Sequence, residues 1–170
     1  AVTVLEYANP GNPSINLSSQ NRFRLILSGE RFRHNPLELM CNGVTLPGMS
    51  GGVMEISSPA RPLPQPGGSI MFDDLYINFM ISENLGEWIY LFNWIREINF
   101  GSTVAQYPYY SQAELIILSN KFNPLLSFTF HNCFPYVLGV VDYSTENTTT
   151  DTIYSNCSFK FTDYTLNSNI

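Results

Sequence analysis

Ser69-Ile-Met-Phe-Asp-Asp-Leu-Tyr-Ile-Asn-Phe-Met-Ile-Ser-Glu83 is followed at once by Asn84-Leu-Gly-Glu-Trp-Ile-Tyr-Leu-Phe-Asn-Trp-Ile-Arg-Glu-Ile98, and the hydrophobic period changes between them. In the first stretch Leu75, Ile77, Phe79 and Ile81 share one face while Tyr76, Asn78 and Met80 share the other. That alternation is the pattern of a half-buried strand, predicted here to run over 69–82. In the second stretch Leu85, Trp88, Ile89, Phe92, Ile95 and Ile98 recur at three and four, which predicts one apolar stripe on a helix of about 14 residues. Asn84 as N-cap with Glu87 three residues on predicts a capping box, and Gly101 predicts the C-terminal stop. Trp88, Phe92, Trp94 and Ile95 are the side chains expected to pack this helix on a sheet.

Strand signals lie on both sides of this pair. Phe23, Leu25 and Leu27 alternate with Arg22, Arg24, Ile26 and Ser28, and a second strand is expected through Leu37, Leu39 and Cys41. Val53–Ser57, Ala113–Ser119, Leu125–His131, Tyr136–Tyr143 and Ile153–Leu166 add five more. In the last of these Cys157, Phe159 and Phe161 oppose Lys160, Thr162 and Tyr164. Pro59-Ala-Arg-Pro-Leu-Pro-Gln-Pro-Gly-Gly68 carries four prolines without N–H donors, so it is read as an extended loop that contacts a partner. Asn9-Pro-Gly-Asn-Pro13 breaks any regular element, so residues 1–21 read as an irregular arm before a single domain at 22–170. Seven or so strands around one helix predict a mainly β fold, an antiparallel β-sandwich or barrel with one flanking α-helix.

Composition narrows the functional classes. Of 170 residues only 13% are charged, with 8 Lys or Arg against 14 Asp or Glu, whereas the apolar fraction is an ordinary 44%. Neutral polar residues, 17 Asn among them, replace the missing charge. Twelve Phe, ten Tyr and two Trp exclude a disordered chain. No apolar run approaches the ~20 residues of a membrane-spanning helix. A net charge of −6 argues against a surface built to grip nucleic acid phosphates. The charge is uneven: residues 1–61 hold five Arg and four acids, and residues 62–170 hold three basic and ten acidic groups. Arg22, Arg24, Arg31 and Arg33 crowd one short stretch, which reads either as a solvated strand face or as a basic strip that meets acids on another copy of the chain.

A search for chemistry returns little. Cys41, Cys133 and Cys157 are odd in number and lack CxxC spacing, so they read as half-buried free thiols in a reducing compartment. His34 and His131 stand in no metal-binding pattern, and Ser50 in Gly48-Met-Ser-Gly-Gly52 lacks the strand–turn–helix setting of a nucleophile elbow. Asp73 and Asp74 are adjacent on an expected strand and face opposite ways, which prevents them from clamping a metal or working as an acid–base pair. No enzyme and no cofactor are expected. Low charge, many amides and hydroxyls, an aromatic core and a Pro/Gly segment suit a subunit that buries much of its surface against copies of itself.

Val44-Thr-Leu-Pro-Gly48, the Pro59–Gly68 segment, the Phe72-Asp-Asp-Leu75 strand and the helix with Asn93-Trp94 resemble, in this order, the tail tube family of contractile-tailed bacteriophages. Asp142-Tyr143 through Thr162-Asp163-Tyr164 is similar to that family's C-terminal strands. The resemblance covers about residues 22–100 and 133–166. It implies a virion structural protein, assembled in the host cytoplasm, whose copies form hexameric rings with a continuous β-lined channel, stacked into a tube. Its implied partners are copies of itself, other tube rings, the surrounding sheath, the baseplate and a tape-measure protein, with DNA passing through the lumen without tight binding and no membrane contact. Arg22, Arg24, Arg31, Arg33, Pro47, Gly48, Arg61 and Pro64 become candidate ring or stacking contacts. Asp73, Asp74, Asp142 and Asp151 become candidates for an acidic lumen that repels phosphates. The arm at 1–21 has no counterpart in the motif string, and baseplate tube-initiator or tube-terminating adaptor proteins carry the same string. A reading from another class, a receptor- or glycan-binding β-sandwich module, would use Tyr107, Tyr109 and Tyr110.

Overall fold

A computed structural model describes residues 22–28, 37–38, 41–101, 109–145 and 151–168. The strands are β1 (Phe23–Ser28), β2 (Leu37–Glu38), β3 (Cys41–Thr45), β4 (Met49–Ile56), β5 (Leu63–Phe72), β6 (Leu75–Met80), β7 (Ser111–Leu118), β8 (Pro124–Leu138), β9 (Tyr154–Lys160) and β10 (Asp163–Ser168). One helix, α1 (Gly86–Phe100), follows β6. Eight strands form one antiparallel sheet in the order β2-β1-β7-β8-β9-β6-β3, with β10 also paired to β8, and β4 and β5 form a separate two-stranded ribbon. The chain is therefore mainly β, antiparallel, with one helix, as the alternating pattern predicts.

Strand β8 organises the sheet. Its first part pairs with β7 and β10, and its last residues, Phe134–Leu138, pair with β9. Between the two parts Asn132 adopts φ 53°, and the strand changes partners there. Inward residues of both wings meet in one core: Leu25, Leu27, Ala113, Leu115 and Phe130 from one, Leu75, Ile77, Phe79, Cys157 and Phe159 from the other. Leu91 and Trp94 of α1 complete it. The Trp94 ring meets Phe159 edge-on at 6.2 Å, and its indole N–H donates to the Tyr109 carbonyl at 3.0 Å. Trp88 ties the other end of the helix to the sheet by donating to the Gly139 carbonyl at 3.1 Å. A Cβ at Gly139 would stand 2.4 Å from the Asn156 side-chain oxygen and 3.0 Å from its backbone oxygen, so a larger residue there would have to displace the Asn156 side chain.

Several expectations change. Of the segment read as a loop over 59–68, residues 63–68 begin strand β5, with Pro64 opposite Glu55 and Pro66 opposite Val53, while 59–62 stay outside any strand. A proline cannot donate, so in an antiparallel pair it fits only where no hydrogen bond is exchanged, and Pro64 and Pro66, two apart, both fall at such positions. The strand expected over 69–82 breaks at Asp73-Asp74, where β5 ends and β6 begins. Leu37 and Cys41 lie on different strands, β2 and β3, at opposite edges of the sheet. The two strands expected at 125–131 and 136–143 are one, β8, whereas Ile153–Leu166 is two, because Phe161-Thr162 turns the chain back onto β8. That turn lets Phe161 and Tyr164 pack together, their ring centroids 5.9 Å apart, although strict alternation put them on opposite faces.

The capping box is also replaced. Leu85, at φ 52°, is the N-cap residue, and the Asn84 side chain accepts from the Gly86 N–H at 3.0 Å. Glu87 reaches past Asn84 to accept from the Ser82 hydroxyl at 2.6 Å and its N–H at 3.4 Å. Burial alone would raise the Glu87 carboxyl, but these Ser82 hydrogen bonds outweigh it and hold it below its ordinary value. Gly101 ends the helix as expected, its N–H donating to the Glu97 carbonyl at 3.2 Å. The buried stripe is turned from the predicted one: Leu91 and Trp94 point inward, Ile95 is half-buried, and Phe92 is 39% exposed and stacks on Trp88 at 5.4 Å.

Replacing Trp94 with alanine removes the largest core side chain and leaves the Tyr109 carbonyl without its donor. Chemical denaturation is expected to show a loss of about 3–5 kcal/mol, and Trp94→Phe is expected to recover part of it.

Candidate assembly surfaces

The most unusual surface is the β4–β5 ribbon. Its two strands pack chiefly on each other, and a two-stranded ribbon has no layer on which to bury either face. Its side chains are nonetheless apolar: Met49, Val53, Met54, Ile70 and Met71 are each between 60% and 67% exposed, and Ile56 and Leu63 are exposed as well. An isolated exposed apolar residue is ordinary, but contiguous ones mark a contact surface.

The ribbon is anchored at one end and kinked in the middle. At the base, Met49 pairs with Phe72, and the Asp73 N–H donates to the Gly48 carbonyl at 3.0 Å. The Phe72 ring lies 5.6 Å from Phe161 and 5.5 Å from Tyr164, which fastens the base to the core aromatics. Midway, pairing shifts between Gly51 and Val53. A Cβ on Gly52 would sit 2.7 Å from the Gly67 carbonyl oxygen, and Gly68 holds φ 108°. Only glycines allow the strands to approach so closely at this bulge.

The sequence-predicted contact residues fall in different places. Pro47 is buried, with its carbonyl 3.5 Å from the Tyr164 hydroxyl, so its side chain is not available to another copy. Gly48 is exposed at the ribbon base, while Pro64 lies on β5 and Arg61 near the tip, both exposed. Arg22 and Arg24 lie at the start of β1, whereas Arg31, Arg33 and the arm at 1–21 lie outside the described residues.

The four candidate lumen acids separate into two groups. Asp73 and Asp74 precede β6, while Asp142 and Asp151 lie beyond the other end of the β6–β9 ladder, near Glu83. Asp74 is not a free negative charge: Lys160 forms an ion pair with it, and the Tyr136 hydroxyl donates to it. The Lys160 hydrogen bond, and after it that of Tyr136, hold the Asp74 carboxyl below its ordinary range, and Asp74 raises Lys160 and Tyr136 in return. The Lys160 ammonium also lies 5.2 Å from the Tyr136 ring centroid.

Groups with catalytic potential are placed for other work. Burial pushes the Cys41 and Cys157 thiols up to about 12 and raises Cys133 as well, so none is a thiolate nucleophile at neutral pH. His131 Nε2 lies 3.1 Å from the Thr165 hydroxyl on the neighbouring strand, and Ser50 sits in the ribbon opposite Met71. No cluster of His, Cys, Asp or Glu able to hold a metal occurs among the described residues. Of the tyrosines proposed for a glycan surface, Tyr109 gives its carbonyl to Trp94, Tyr110 packs on Phe134 at 5.8 Å, and Tyr107 lies outside the described residues. The partner-contacting segment was expected as a loop; that it is a paired ribbon was not, although Met, Val and Ile flanking the prolines carried a strand signal.

Comparison with known proteins agrees with this picture. A family model described as phage tail tube protein matches residues 12–167. No curated protein sequence matches the chain. Among solved structures, a chain of the anti-feeding prophage baseplate is similar with a TM-score of 0.69 at 12% identity, covering 91% of this chain and 97% of that one. A chain of the sheath/tube terminator of the PVC extracellular contractile injection system gives 0.68 at 14% identity, with 91% and 99% covered. A chain of the sheath–tube complex of that system gives 0.58 at 13% identity, with 99% of each chain covered.

Because Asp74 is depressed in the folded state, its contribution to stability is complete above its unfolded value of 3.8 and is lost as pH falls through the folded value. The stability advantage of the native chain over Asp74→Asn, read from denaturation midpoints, is therefore expected to be present at pH 6 to 7 and absent in strong acid. Lys160→Met is expected to remove most of that pH dependence.

Proposed function

The chain belongs to the phage tail tube protein family, and from that premise we propose that it is a tail tube subunit whose copies close into hexameric rings that stack into a conduit for DNA. Family membership makes it a structural component of a virion or phage-like particle, not an enzyme. The observation that carries the proposal is the β4–β5 ribbon, an apolar surface without a partner among the described residues of its own chain. A side chain the size of Val, Ile or Met gains about 1.5–3 kcal/mol on leaving water completely. Association costs several kcal/mol in lost freedom, so one exposed residue would not support an interface, whereas seven on one ribbon would. Repetition of that contact between copies supplies the self-association a tube needs, and the edge strands β2 and β3 offer further backbone pairing around a ring.

The conduit follows from charge. With net −6 the assembled wall repels phosphates, which suits passage of DNA without tight binding. Of the four candidate lumen acids Asp74 contributes least to that field, because Lys160 compensates it. Sheath, baseplate and tape-measure protein are the further partners this role implies. The second reading is a tube-initiating or tube-ending ring of the same assembly, supported by fold likeness to a baseplate chain and to a terminator chain.

Electron microscopy of the concentrated purified chain is expected to show rings or stacked tubes. Val53→Asp with Met54→Asp on the ribbon is expected to abolish them while the circular dichroism spectrum stays native. Monomers alone, even with tails present, would contradict the tube reading, and short capped stacks in place of long tubes would favour the second one.

A further inference from the structure

The β7–β8 turn holds a bulky residue in a costly conformation. Phe122 has φ 63°, in the left-handed region that costs a non-glycine residue on the order of 1–3 kcal/mol when tertiary structure enforces it. The turn around it is braced. The Ser119 hydroxyl accepts from the Lys121 N–H at 3.3 Å and the Asn123 N–H at 3.1 Å. The Ser119 N–H donates to the Asn123 carbonyl at 2.7 Å, and the Phe122 N–H to the Ser119 carbonyl at 2.8 Å. Glycine or asparagine would satisfy this geometry more cheaply. The phenyl ring does not repay the strain by burial, since Phe122 is 65% exposed.

Its neighbours are cationic. The Arg22 guanidinium lies over the ring, 3.6 Å from the centroid, and Lys121 is exposed beside it. Arg22 Nε and Nη1 are shielded from water and have no hydrogen-bond partner. The strand residues paired at this end of the sheet are uncharged: Phe23 with Ile117, Leu118 with Pro124, and Leu126 with Ser168. The turn is thus a rigid, projecting aromatic knob with a positive rim.

The opposite end of the sheet has the complementary shape and charge. Beyond β6 and before β9 lies a groove lined by Ile81, Glu83, Tyr143, Asp151 and Ile153, with Asp142 flanking it and no Lys or Arg among the described residues that line it. Strand β8 runs from the knob toward this groove over 15 residues, a contour of roughly 45–50 Å at about 3.3 Å per residue.

We propose that the knob of Phe122, Arg22 and Lys121 seats in the Glu83–Tyr143–Asp151 groove of a second copy of this chain. This head-to-tail contact rests on the tube reading and specifies which surfaces meet. Phe122 would exchange water for Ile81, Ile153 and Tyr143, and the exposed Lys121 ammonium, with the Arg22 charge behind it, would face the acids of the groove. The two patches differ, so the contact is heterologous and propagates from copy to copy instead of closing a two-fold dimer.

Three variants test it, with assembly followed by sedimentation and electron microscopy. Phe122→Gly relieves the strain, so its Tm is expected to hold or rise while assembly weakens at least tenfold; a purely structural phenylalanine would give a lower Tm. Arg22→Glu with Lys121→Glu makes both ends acidic, and Glu83→Lys with Asp142→Lys makes both ends basic. Each double variant is expected to fail alone, and an equimolar mixture is expected to assemble. Native-like assembly of Phe122→Gly or of either double variant, or failure of the folded pair to rescue each other, would overturn the contact while leaving the tube reading intact. A native chain that stays monomeric would overturn both.

Discussion

Phe72 packs its ring against Phe161 and Tyr164, and this aromatic contact is where the ribbon joins the folded body. On one side of it the chain has a layered interior, in which two wings of a sheet and one helix bury Trp94, Phe130 and Phe159. On the other side lies a ribbon that no second layer of the described residues covers. A free ribbon of this composition is unfavourable in water, because its apolar side chains gain nothing from folding alone. Its exposed Met, Val and Ile make physical sense when a further surface arrives to cover them. The aromatic anchor sets the ribbon's direction, and the glycine bulge at Gly52 and Gly68 permits a bend farther out.

The same logic explains the scarcity of charge. Desolvating a charge costs far more than desolvating an amide or hydroxyl that finds a hydrogen bond. A subunit that meets several copies of itself therefore keeps its charges few and local. The described ones are arranged accordingly: Lys160 is matched by Asp74, and Arg96 lies near the rings of Phe92 and Phe100. Arg22 and Lys121 gather at one end of the sheet and Glu83, Asp142 and Asp151 at the other.

Much of this fold was legible in the sequence wherever local periodicity and burial agree. Leu75, Ile77 and Phe79 alternate and are buried, and the change of period after Glu83 marks the start of a helix. Legibility failed where a tertiary partner decides the outcome. Prolines exclude a central strand, yet Pro64 and Pro66 fit a ribbon whose partner is β4. Asn132 and Pro135 look like a break, yet β8 passes through both because β7, β10 and β9 pair along its length. Leu85 takes the N-cap position that Asn84 was expected to fill, because Glu87 is drawn back to Ser82. The assembly surface was half visible. Its Pro/Gly segment stood out, but only pairing with β4 showed that its exposed apolar residues gather on one ribbon.

Amide hydrogen exchange over Met49–Phe72 tests the central claim most directly, that this ribbon is stabilised by other copies and not by its own chain. In the unassembled protein its amides are predicted to exchange much faster than those of β6 and β9 and to become protected when rings or tubes form. Ribbon amides already as protected as β6 and β9 in the isolated chain, or unchanged in the assembled particle, would contradict the account.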